Sequence, residues 1–146
     1  MKLNAKLKGT KALQSKFDRF GKEGYFKVAA VTKTAAQEIE LDAKQTAPLD
    51  KGKLRQGIKS EMIDLFNYRI LAAEVYSAFI EFGTGGLVDV PIGWESLAIQ
   101  FKGEGKRQVN LSPQPFLHPA FVKGSKKYKQ DLDKQLKKLT AKYNKK

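Results

Sequence analysis

The 146 residues, 41% hydrophobic and 29% charged with no cysteine and one histidine, suffice for one domain with a core and exclude disulfides, iron–sulfur clusters and thiolate zinc sites. The net charge of +13 is carried by the ends: residues 1–27 hold eight Lys/Arg against two acids, residues 123–146 ten against two, and the middle ten against eleven, which is +6, +8 and −1. No apolar run approaches the roughly 20 residues of a membrane helix, and the lysine-spaced start (Lys2, Lys6, Lys8, Lys11) lacks a signal-peptide core, so neither a membrane partner nor export is expected.

In chain order, Leu13, Phe17 and Phe20 fall at helical steps and predict a first short helix, with these rings turned into a core. Gly21 and Gly24 interrupt it. A second, long helix is predicted over residues 25–46 from Val28, Val31, Ala35, Ile39 and Ala43, ending near Pro48 because the residue before proline is pushed out of helical geometry. Residues 54–63 mix apolar and charged side chains and predict a strand. Residues 69–82, rich in Ile, Val, Tyr and Phe and bounded by glycines, predict a second strand, antiparallel to the first. Residues 97–101 and 108–111, around Gly103-Glu104-Gly105, suit a further hairpin. A final amphipathic helix is predicted beyond Pro119, with Tyr128, Leu132, Gln135, Leu136, Leu139 and Tyr143 on one face.

The fold class is therefore α+β, a long N-terminal helix packed on a small antiparallel sheet, with a long loop or hairpin arm and a C-terminal amphipathic helix. We expect one domain over 1–146: a basic N-terminal segment at 1–24, helix and hairpin at 25–83, an extended loop or arm at 84–113, and a C-terminal helix with a basic tail at 114–146. The basic ends are expected to supply attachment to an acidic surface or nucleic acid and not fold, or else only to solubilise.

Three passages stand out. Thr46-Ala47-Pro48-Leu49-Asp50-Lys51-Gly52-Lys53-Leu54-Arg55 reads as a proline-closed helix end with a glycine turn, where Gly52 can take a positive φ. Tyr76-Ser77-Ala78-Phe79-Ile80-Glu81-Phe82-Gly83-Thr84 reads as a strand ending on Gly-Thr. Gln114-Pro115-Phe116-Leu117-His118-Pro119-Ala120-Phe121 reads as a rigid lead-in to the last helix. In this order and spacing, the chain resembles the tail-completion, or head-tail joining, family of long-tailed phages over roughly residues 28–143. Members of that family show an Ala-Pro-x-Asp-x-Gly-x-Leu-Arg turn, a Tyr-Ala-x-x-x-Glu-Phe-Gly-Thr strand end and a Pro-Phe-Leu-x-Pro-Ala lead-in. Ser77 departs from the usual alanine and Lys51 from the usual small residue, and nothing transfers to residues 84–113.

The resemblance implies a structural virion protein of the phage neck, made in the host cytoplasm and assembling as a ring, a hexamer in related particles. Its partners would be a head connector or stopper protein and a tail tube or tail terminator protein, with DNA passing non-specifically through the channel. It implies no enzyme activity and no cofactor. The candidate structural or interface residues are Pro48, Asp50, Gly52, Leu54, Arg55, Tyr76, Glu81, Phe82, Gly83, Thr84, Trp94, Pro115, Phe116, Leu117 and Pro119.

His118 lacks a serine, cysteine or paired carboxylate at a supporting spacing and is expected to pack or cap. Glu81 is expected to accept hydrogen bonds from the Gly-Thr turn after it or to meet a basic residue of a neighbouring subunit. Gly83-Thr84-Gly85-Gly86 lacks the ending of a phosphate loop, and Trp94 is either a local plug or an interface anchor. The rival function is a stand-alone basic nucleic-acid-binding protein, for which charge and interspersed aromatics speak but no binding motif does.

Overall fold

Helix α1 (Thr10–Thr46) runs unbroken for 37 residues, about 55 Å at 1.5 Å per residue. It opens a computed structural model that describes residues 10–49, 52–102 and 109–144. The break predicted at Gly21 and Gly24 does not occur. A glycine inside a helix costs roughly 1 kcal/mol relative to alanine, and at Gly24 packing offsets this, since a Cβ there would lie 3.3 Å from Leu139 Cδ2 on another helix. Ala35, Ala36, Ile39 and Ala43 are buried at helical spacing. The helix stops two residues short of Pro48, as the restriction on pre-proline residues requires.

The strand predicted over 54–63 opens instead with a helical turn, α2 (Lys53–Gly57), and becomes strand β1 only at Ile58–Asp64. Leu54 and Ile58, four residues apart, are both wholly buried, a spacing that puts two side chains on one face of a helical turn as well as of a strand, so the apolar pattern does not separate the two. Strand β2 (Asn67–Ala72) pairs antiparallel with β1, placing Ile58 opposite Ala72 and Glu61 opposite Arg69. Asp64 closes the turn by accepting from the Phe66 amide and the Asn67 side-chain amide, both at 2.8 Å.

The extended run predicted to reach residue 82 ends at Ala72. Ser77 N–H donates to Glu74 O and the Ser77 hydroxyl to Ala72 O, reversing the chain into helix α3 (Ser77–Phe82). Tyr76 and Ile80, one helical turn apart, pack on the same core. The β-preference of Ile, Phe and Tyr is a preference for half-buried surfaces, and tertiary packing overrode it. The hairpin expected around Gly103-Glu104-Gly105 is also not formed on its first side. Leu97 falls in helix α4 (Glu95–Ala98) and Ile99–Phe101 is a 3-10 turn, while 103–105 lie outside the described residues.

Helix α5 (Leu117–Asn144) starts before Pro119, not after it; proline is tolerated in a first turn, where its missing N–H has no intrahelical partner to lose. It runs back along α1. Lys142 meets Glu23, Lys127 meets Glu38 and Lys123 meets Asp42, so every step along α1 is matched by an equal step back along α5. Exposed ion pairs of this kind stabilise little, but their regular placement favours this register over slipped ones. Tyr143 packs edge-on to Phe20 at 5.5 Å and donates to Glu23. The C-terminal end through Asn144 therefore takes part in the fold, contrary to the expectation of attachment alone. Phe17 is not a core ring either, being 66% exposed.

The core lies where the end of α1, α2, β1 and the start of α5 meet: Ile39, Ala43, Ala47, Leu54, Ile58, Phe116 and Ala120. The sheet is fastened to α1 by Glu40, which accepts from Ser60 N–H at 2.8 Å, Ser60 Oγ at 2.6 Å and Lys44 Nζ at 2.5 Å. Burial pushes the Glu40 carboxyl up, yet the bonds from Lys44 and Ser60 outweigh it and hold its pKa at about 2. A depressed carboxylate contributes stability above its unfolded value and loses it as pH falls toward the folded one. Wild type should accordingly lose more stability between pH 5 and pH 2 than Glu40→Gln, measured by urea unfolding at each pH. At pH 7 the substitution should cost about 1.5–3 kcal/mol.

Candidate functional site

The three sequence passages, separated by up to seventy residues, come together around two helix ends. At the first, Arg55 donates from Nε and Nη2 to the Ala47 carbonyl at 3.0 and 2.8 Å. A two-pronged cation thus closes the C-terminal end of α1, where unpaired carbonyls accumulate partial negative charge. Gly52, at φ 76°, turns the chain into α2 and so aims Arg55 back at that carbonyl. Leu54 beside it enters the core. Pro48 is half-buried; Asp50 lies outside the described residues.

At the second end stands Glu81, a buried charged residue at 4% exposure. Its Oε2 accepts from Phe116 and Leu117 N–H and its Oε1 from His118 N–H, each at 2.9 Å. These are the first amides of α5, which have no intrahelical acceptor and carry the helix's partial positive charge. Neither expectation for Glu81 matches this, since the carboxylate serves a helix start 35 positions on in the chain rather than the Gly-Thr turn. The Thr46 hydroxyl reaches Phe116 O at 3.3 Å, joining the two ends, and Phe116 itself is 1% exposed in the core.

Gly83 and Thr84 form a cradle for the extended segment leading into α5. A Cβ on Gly83 would lie 2.5 Å from Leu111 O, and its φ is 75°. Thr84 N–H donates to Leu111 O and Leu111 N–H to Thr84 Oγ1, both at 3.0 Å, while the Thr84 hydroxyl bonds Val109 O. Gln114 N–H then reaches Ile80 O at 2.8 Å. Asn110, which the sequence did not single out, accepts from Gly86 N–H at 3.0 Å, so that amide of the glycine-rich loop is used internally.

Trp94 and His118 pack edge to face at 5.0 Å, and Trp94 also meets Phe82 and Phe121. Phe101 stacks on Phe82 and meets Phe79, folding residues 94–101 over α3 and the start of α5. Pro115 and Pro119 are exposed and Leu117 is half-buried against the core. Glu81 directs its carboxylate at backbone amides, His118's included, and among the described residues no three of His, Cys, Asp and Glu gather as metal ligands would. His118→Ala should therefore cost one aromatic contact, about 0.5–1.5 kcal/mol by thermal denaturation. A loss well above that would refute this.

What the arrangement does is mechanical: a cation closes one long helix, an anion opens the other, and a glycine cradle fixes the approach between them. Comparison with the curated proteins and with the solved structures found no match. The sequence profile of the HK97-gp10-like family, described as "Bacteriophage HK97-gp10, putative tail-component", matches residues 11–83, which hold α1, the hairpin, Arg55 and Glu81; the chain belongs to this family of phage tail components.

Proposed function

We propose that the protein is the tail-completion subunit of the phage neck, assembling as a hexameric ring between head connector and tail, with DNA passing through. The observation that carries an assembly role is the disposition of apolar surface. Among the described residues only Ile39, Leu54, Ile58, Phe82, Phe116 and Leu139 are large and buried, while twenty large hydrophobic side chains are exposed. Scattered exposed apolar residues are ordinary, but exposed Met62, Ile63, Leu65 and Phe66 gathered within five positions at one hairpin tip suit a contact surface. A subunit whose work is to be covered by its neighbours has this disposition.

The rival reading as a nucleic-acid-binding module draws on the lysines of α5, and three of these, Lys123, Lys127 and Lys142, are engaged with acids of α1. That leaves less free charge than composition suggests. The test is complementation: particles made without this protein, examined by electron microscopy, should separate into filled heads and free tails, and purified protein should rejoin them. Joined particles in its absence would overturn the proposal. Tight duplex binding at physiological salt with a steep salt slope would favour the rival.

A further inference from the structure

The turn at residues 91–94 displays one apolar side chain. Trp94 N–H donates to Pro91 O at 3.0 Å, and Gly93 between them has φ +87°, the left-handed value that the third position of a type II turn takes. Glu95 Oε1 accepts from Gly93 N–H at 2.9 Å and fastens the turn from the side. Both ends are anchored: Asp89 N–H bonds Phe82 O at 2.9 Å, and the Trp94 ring lies on Phe82, His118 and Phe121. Ile92 stands at the apex of this fixed frame and is 91% exposed, with the exposed acids Asp89 and Glu95 on either side. With the backbone of the turn fixed beforehand, a contact at Ile92 has only that one side chain left to order.

A matching surface lies elsewhere on the same chain. The groove between α1 and the hairpin is lined by the apolar Ala29, Ala30, Met62 and Leu65 together with Lys33, Gln37, Ser60 and Tyr68. None of the described residues of 84–113 lines it. Its apolar side chains suit an isoleucine, and the ammonium of Lys33 suits the carboxylates that flank Ile92.

We propose that the Ile92 apex of one copy of this chain docks into the α1–hairpin groove of the next. Knob and groove are different surfaces, so the contact is head-to-tail, the kind that closes into a ring or continues as a filament. The inference rests on the ring reading above and names the surfaces that would make it.

Because the chain has no cysteine, engineered thiols report without background. Ile92→Cys and Ala30→Cys proteins, mixed and oxidised, should give a disulfide-linked pair on non-reducing gels, and neither variant alone should link to itself. The mixture is tested twice, in particles rejoined as described above and as concentrated purified protein. Ile92→Asp should weaken self-association by about tenfold or more, the worth of one buried isoleucine side chain, with an unchanged melting curve. Lys33→Glu should weaken it too, and mixing with Asp89→Lys should restore it.

Ile92→Cys linked to itself would overturn the contact in favour of a two-fold pairing. No link in either arm would also overturn it, and would give the apex to a partner of different sequence. If heads and tails join without the protein, the neck assignment fails while the solution arm still reads the contact. If joining needs the protein but no link forms, the contact alone fails.

Discussion

Replacing Glu81 by alanine is expected to lower stability by about 3 kcal/mol or more, a fall of about 10 °C in melting temperature for a chain of this size. Three amide donors at the start of α5 lose their acceptor together, in a place where water does not replace it fully: Phe116 and Glu81 are buried, and Leu117 half so. Ordinary loss of a cap costs about 1 kcal/mol, but that figure is for exposed helix ends with one bond. Glu81→Gln should recover part of the loss, because the carboxamide oxygen accepts while its NH2 faces a donor. The order wild type, glutamine, alanine by thermal denaturation is the expected result. A loss below about 1 kcal/mol for alanine would mean that the lead-in from Gln114 to Phe116 holds α5 without the carboxylate. The effect should also reach assembly, since α5 positions Phe121, His118 and the Trp94 ring that backs the 91–94 turn.

Much of the architecture was legible because its signals are local. Long apolar periodicities identified α5 and the part of α1 from residue 25 on, Pro48 identified the end of α1, and Gly52 the positive φ that follows it. The α+β class and the antiparallel pairing of the hairpin followed from the change of pattern between them. Where the reading failed, a distant partner decided the outcome. Residues 77–82 carry strand-forming side chains, yet form a helix because Tyr76 and Ile80 reach one core and Glu81 reaches the amides of another element. Gly24 looks like a break, and only the position of Leu139 shows it to be a contact. Arg55, Glu81, Gly83 and Thr84 do converge, but pairing Arg55 with Ala47 O, or Glu81 with the start of α5, requires knowing where the chain returns.

Two glycine-to-alanine substitutions in the long helices are expected to have opposite signs. Gly21 in α1 has nothing within 4 Å of the place where a Cβ would stand. Gly21→Ala should stabilise by about 0.5–1 kcal/mol, the difference in helix propensity between the two residues. Gly124 in α5 faces Ile39 so closely that a Cβ would lie 2.1 Å from Ile39 Cγ1 and 2.8 Å from Cδ1. Ile39 is 6% exposed and belongs to the core cluster, so it has little room to turn away, and forcing an extra carbon into a packed interior costs typically 1–3 kcal/mol. That exceeds the propensity gain over most of its range. Gly124→Ala should be net destabilising by about 1 kcal/mol, and a bulkier valine by more. The contact itself is isolated by a double-mutant cycle. Ile39→Ala alone leaves a cavity and should cost about 2–5 kcal/mol, but in that background Gly124→Ala should become neutral or stabilising, a coupling of about 1–2 kcal/mol between the two sites. If Gly124→Ala proves as stabilising as Gly21→Ala in the wild-type background, then α1 and α5 do not approach each other at Ile39 as closely as the structure has them.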